Sequence, residues 1–204
     1  GNPLNVQRTL RGFAKAGFAG IMLEDQVAPK RCGHTRGKAV VEREEAYDRI
    51  RAAVEARDAG ADLLILARTD ALALIGLDEA IERANHFRAL GADILFIEAP
   101  TTTDQMARIC RDAPGVHLAN MLEGGATPIL PPAELAALGY RIAAYPLTLL
   151  AAAMQAMVDA LAEFRAGQHP QRLMGFAEMR RRLGFDAYDA AARRFGPGGE
   201  VHDE

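Results

Sequence analysis

Cys32 stands in a loop, Lys30-Arg31-Cys32-Gly33-His34, that follows the carboxylate pair Glu24-Asp25 by a few residues. Cationic neighbours of this kind favour proton exchange at a thiol, and loops at strand ends on a rigid scaffold are where reactive groups concentrate. An isolated cysteine is by default an inert apolar side chain. Here it lies outside any apolar run and inside a cationic segment. Further polar groups punctuate the chain at intervals: Arg68-Thr69-Asp70, Glu98, Asn120 and Tyr145. Each closes a short apolar run, at 62–67, 94–97, 116–119 and 141–144, as Glu24 closes the run at 19–23.

These runs read as buried parallel strands covered on both faces. Helical patterns separate them, at 3–17, 41–60, 77–90, 103–111 and 132–138, and a long Ala-rich helix covers 147–164. Asn2 can cap the first helix and Pro3 suits its first turn. Alternating strands and helices imply βαβ units and a parallel sheet. Polar groups gathered at the C-terminal ends of successive strands are the layout of a (β/α)₈ barrel active site. An open doubly wound sheet is disfavoured, because neither GxGxxG nor GxxxxGK[ST] occurs. The domain reading is a partial barrel over 1–165 and a helical segment over 166–195. That segment packs on the barrel or on a neighbouring subunit, and a disordered tail follows at 196–204. Phe176, Met179, Leu183, Phe185 and Tyr188 make the helical segment apolar.

Composition narrows the classes. In 204 residues, half hydrophobic, one substantial core is available without staples. A net charge of −3 gives no basic footprint for nucleic acid. Cys32 and Cys110 form neither a CxxC pair nor part of a Cys/His cluster, so neither zinc nor a disulfide framework is supported. No apolar run approaches 18 residues, and the reading is a cytoplasmic protein with no membrane partner.

Glu24-Asp25-Gln26, Pro29-Lys30-Arg31-Cys32-Gly33-His34, Ala67-Arg68-Thr69-Asp70-Ala71, Phe96-Ile97-Glu98-Ala99, Asn120-Met121-Leu122-Glu123 with Gly125-Ala126-Thr127-Pro128, and Tyr145-Pro146 occur in order. Together they resemble the isocitrate lyase/phosphoenolpyruvate mutase superfamily, nearest its 2-methylisocitrate lyase and carboxyphosphonoenolpyruvate phosphonomutase branch. The resemblance implies a (β/α)₈ barrel whose last helix is swapped onto a neighbour in a dimer of dimers. It also implies Mg²⁺ (Mn²⁺ as the alternative ion) and chemistry through an enolate on a small carboxylic acid. Glu24 would meet the metal mainly through water, with Asp25 nearby. Arg68 would hold a substrate carboxylate and stabilise the enolate oxygen, and Glu98 would orient substrate or water. Asn120 and Thr127 would bind the distal carboxylate. Gly33 and His34 would contact substrate in a loop that closes as a lid. Cys32, supported by Lys30 and His34, would protonate the carbanion released by C–C cleavage.

The activity so implied is cleavage of a 2-methylisocitrate-like 2-hydroxy di- or tricarboxylate to an oxo acid such as pyruvate plus a dicarboxylate such as succinate. The alternatives are a carboxyphosphonoenolpyruvate phosphonomutase, an oxaloacetate decarboxylase, and an inactive barrel fragment acting as an interaction module. In this family an Asp-x-Asp-x-Gly-Tyr-Gly loop precedes the helix with which this chain opens. The direct aspartate ligands are therefore expected upstream of Gly1, and the matched strands are the fourth to eighth of the barrel.

Overall fold

A computed structural model describes residues 2–33 and 37–195. Five strands, β1 (Gly20–Glu24), β2 (Leu64–Thr69), β3 (Ile94–Ile97), β4 (Val116–Asn120) and β5 (Tyr140–Ala144), form one sheet in chain order. Every neighbouring pair is parallel. Helices α1 (Pro3–Lys15), α2 (Arg43–Asp58), α3 (Leu77–Leu90), α4 (Thr103–Asp112) and α5 (Pro132–Leu138) precede or connect them. The α/β class and the strand–helix alternation are as the sequence implies. Among the described residues β1 and β5 are edge strands, so these five make an open run of sheet rather than a closed barrel.

Local chemistry explains the boundaries. Asn2 accepts the Asn5 amide at 3.0 Å and Pro3 follows it, giving α1 a capped start. Gly91, at φ 110°, ends α3 in a left-handed conformation that a side chain would strain. Strand periodicity then sorts residues between the two faces of the sheet. Ile65, Ala67, Leu95 and Ile97 are buried in a core with Ile50, Ala53, Ala84 and Phe87 of the covering helices. A smaller cluster joins Met106, Ala119, Met121, Leu135 and Tyr140. Burial pushes the Cys110 thiol beside it up to about 11.

The other face departs from the sequence reading. Met22, Leu64 and Val116 share it through the register Gly20↔Leu64, Met22↔Leu66, Leu66↔Ile94 and Ile94↔Val116. All three are at least two-fifths exposed. The near-continuous apolar runs implied cover on both faces, whereas the helices described here cover one.

The chain divides into two compact units, 1–149 and 150–204; the sequence reading had placed a boundary at 165. In the second, α6 (Thr148–Arg165, which starts in the first unit), α7 (Phe176–Arg182) and α8 (Phe185–Phe195) contain no buried residue. The tail at 196–204 lies outside the described residues. No helix among them is long and apolar enough to cross a membrane.

Candidate active site

Glu24 and Asp25 are adjacent, so strand geometry sends them to opposite faces. Glu24 reaches the open face at the strand ends, where Lys30 Nζ lies 3.3 Å away. Asp25 turns under the helices and is 1% exposed. Its carboxylate accepts the Thr69 hydroxyl at 2.6 Å, the Asp70 amide at 2.9 Å and Arg83 Nη1 at 3.0 Å. Burial pushes the Asp25 pKa above the usual carboxylate value, against the opposing pull of Thr69, the Asp70 amide and Arg83. Both oxygens are thus committed to the protein, and Asp25 holds the turn after β2.

That turn carries the cation of the site. Arg68 grips Asp70 with two parallel bonds, Nε to Oδ2 at 2.9 Å and Nη2 to Oδ1 at 3.1 Å. Its Nη2 also lies 3.0 Å from Glu98 Oε2, and its Nε 3.6 Å from Glu24. Its guanidinium stands over the Phe96 ring at 5.3 Å. Burial opposes the charge on Arg68, but Asp70, Glu98 and Glu24 outweigh it and hold its pKa above the ordinary value. Burial likewise works against the Asp70 carboxylate, yet Arg68 keeps its pKa below the usual range.

Glu98 is 1% exposed and is fixed from its other side. Its Oε1 accepts the Ala99 amide at 3.1 Å and Asn120 Nδ2 at 3.4 Å. Ala99 has φ 61°, a strained left-handed conformation for a residue with a Cβ, at the bend that follows Glu98. Asn120 therefore belongs to the same cluster as Arg68 and Glu98. Thr127 is buried, and among the described residues its hydroxyl meets no partner and no hydrogen bond ties it to that cluster.

The cationic loop comes down on this cluster. A Cβ added at Gly33 would lie 2.4 Å from Arg68 Nη2 and 2.5 Å from Glu98 Cγ, so only glycine permits this approach. Cys32 is exposed at the rim beside it. His34 lies outside the described residues.

Three residues that the sequence reading passed over are central. Lys38 Nζ is 3.0 Å from Asp70 Oδ1 and also donates to the Gly33 carbonyl, with 4% of its side chain exposed. Arg83 is buried beneath Asp25. Arg49 donates to the backbone carbonyls of Glu24 and Gln26 at 3.1 and 3.0 Å, fixing the chain where it leaves β1. A Glu79–Arg83 spacing of four was the sole sequence sign of an ion pair there. Arg49 carries the same spacing after Glu45, and nothing in the spacing marked Lys38.

Oxygen donors at a strand end suit a hard cation such as Mg²⁺. Glu24 and Glu98 are the carboxylates on the open face, and Lys30 and Arg68 already engage them. Among the described residues no group of three His, Cys, Asp or Glu side chains could hold an ion. Glu24 on the open face fits a carboxylate that meets such a cation through water.

The phosphoenolpyruvate phosphomutase family matches residues 1–165. The 2,3-dimethylmalate lyase of Eubacterium barkeri is 52% identical over 159 residues, 78% of this chain and 55% of its own length. The 2-methylisocitrate lyase of Escherichia coli K12 is 51% identical over 145 residues, 71% of this chain and 48% of its own. Oxaloacetate acetylhydrolase bound to 3,3-difluorooxalacetate superposes with a TM-score of 0.87 at 36% identity, covering 99% of this chain and 69% of that one. A phosphonopyruvate hydrolase complexed with oxalate and Mg²⁺ superposes with a TM-score of 0.79 at 29% identity, over 96% and 69%. The chain belongs to the phosphoenolpyruvate mutase/isocitrate lyase superfamily. It spans about half the length of the two curated relatives named here.

Proposed function

We propose that this chain carries the strand-end half of a Mg²⁺-dependent lyase site. The substrate class is a small 2-hydroxy di- or tricarboxylate of the 2-methylisocitrate or 2,3-dimethylmalate type. The observation that carries the reading is the seat of Gly33 against Arg68 and Glu98, which brings the backbone next to Cys32 onto the charged cluster at the strand ends.

In this reading a base takes the hydroxyl proton of the substrate, the carbonyl forms and the adjacent C–C bond breaks. The bonding electrons pass to the second fragment, whose carbon takes a proton from Cys32. Arg68 binds the carboxylate next to the reacting carbon and steadies negative charge on the neighbouring oxygen. Its orientation is fixed beforehand by Asp70 and Glu98, so little reorganisation accompanies the reaction. Asn120 and Thr127 bind the far carboxylate; the unpartnered Thr127 hydroxyl supports its part. His34 and Lys30 support the thiol. Bound Mg²⁺, which Glu24 would meet through water, supplies polarisation of the oxo-acid oxygens. The exposed apolar faces of α6 to α8 suit burial against a second copy in a dimer of dimers, in the cytoplasm.

The test is a panel assay with Mg²⁺. Oxo-acid release from 2-methylisocitrate or 2,3-dimethylmalate supports the lyase. Products from oxaloacetate or phosphonopyruvate alone would instead favour the decarboxylase or mutase alternatives. Cys32→Ser should abolish cleavage and leave substrate binding intact, and normal turnover in that variant would remove the thiol from the reaction.

A further inference from the structure

Asp70 is fully buried and faces two cations. One, Arg68, comes from its own turn; the other, Lys38, comes from the far side of the Cys32 loop. A lysine ammonium with 4% of its side chain exposed is costly to bury unless it is paired and hydrogen-bonded. Lys38 obtains both from two groups, the Asp70 carboxylate and the Gly33 carbonyl. Gly33 is in turn the residue whose missing side chain lets the backbone rest on Arg68 and Glu98.

We propose that Lys38 is a positioning residue of this site, tying the Cys32-Gly33 backbone to the Arg68–Asp70 pair and so holding the thiol-bearing loop against the Arg68–Glu98 cluster. The inference rests on the lyase reading for its catalytic consequence, but not for its structural one. One ammonium bridges the loop carbonyl and the carboxylate that orients Arg68, so loop placement and guanidinium orientation share a single anchor. Charge accounting supports this. Among the described residues, Arg68 faces Glu24, Asp70 and Glu98 from the strand ends, and the loop adds Lys30 on Glu24 and Lys38 on Asp70. With the loop seated, Lys30 and Lys38 share two of these carboxylates with Arg68, leaving its guanidinium freer to take an anionic substrate. Lysine suits the task because its flexible stem delivers a compact charge with three donors.

The experiment compares Lys38→Met and Lys38→Arg with the unaltered protein. Limited trypsin digestion is scored by mass spectrometry as the ratio of cleavage after Arg31 to cleavage after Arg88. Arg88 is an exposed residue of α3 in the same unit, so loosening of that whole unit raises both cuts and cancels. The ratio should rise at least fivefold in Lys38→Met and less in Lys38→Arg, which keeps the charge. An unchanged ratio in Lys38→Met overturns the proposal, and equal cutting of the two variants overturns the ion pair as its cause. In the panel assay Lys38→Met should lower kcat at least tenfold with KM within threefold. Full kcat in a readily cut variant would overturn the link to the thiol. If the unaltered protein cleaves no acid of the panel, the lyase reading falls, while the digestion ratio still decides Lys38.

Discussion

Arg83→Met should be among the most damaging single substitutions in this chain, although the sequence marks Arg83 only by its i,i+4 spacing from Glu79. Its guanidinium donates to Asp25 at 3.0 Å, to the Val41 carbonyl at 2.9 Å and to Glu79 at 2.7 Å, with 2% of the side chain exposed. Methionine fills most of the volume and removes every one of these donors. Asp25 would remain buried with only Thr69 and the Asp70 amide facing it. Breaking a buried pair from one side costs about 3–5 kcal/mol, because the surviving charge is left uncompensated. For a chain of this size that corresponds to a fall in Tm of about 10 °C, at roughly 2–4 °C per kcal/mol. Urea unfolding followed by far-ultraviolet circular dichroism gives the free energy directly. Adding Asp25→Asn removes the stranded charge, so the double variant should recover about 1–2 kcal/mol of the loss. A cost below about 1 kcal/mol for Arg83→Met, or a double variant no more stable than the single one, would refute the view that this pair carries the β2 turn.

Gly33→Ala should cut kcat by about a hundredfold, the scale of a 1 Å misplacement at a reacting centre, because Gly33 is buried against Arg68 and Glu98 and an added methyl pushes the loop off them; activity within threefold would show that the close approach is dispensable. His117 is buried, with Nε2 bonded to the Ala113 carbonyl and Nδ1 meeting no partner among the described residues, and burial pushes its pKa below the ordinary histidine value. The unfolded chain therefore binds that proton first. The His117 contribution to stability is complete above about pH 6.5 and falls as pH drops toward the lower native value, by at most about 1.4 kcal/mol per unit. His117→Phe should flatten stability against pH between 6.5 and 5, and an unchanged slope would show that His117 is not the group responsible.

Much of the scaffold was legible because it is periodic. The apolar runs at 94–97 and 116–119, the helix at 77–90 with Gly91 behind it, and Asn2-Pro3 opening α1 are local signals, and local structure obeyed them. The polar residue closing each run marked Glu24, Arg68, Glu98 and Asn120 as neighbours, since parallel strands in chain order bring equivalent ends together. What sequence could not supply was the partner of each charge. Asp25 was grouped with Glu24 as a site residue near the metal, yet the two-residue period of a strand turns it to the helix side, where Arg83 awaits it. Lys38 and Arg49 read as ordinary loop and helix cations. Their significance comes from contacts 32 and 23–25 residues away in sequence, to Asp70 and to the carbonyls of Gln26 and Glu24. Residue type and spacing determined which side chains could do chemistry here. Which of them became structural supports was decided by burial, because a charge withdrawn from water must find its counterpart wherever the fold provides one.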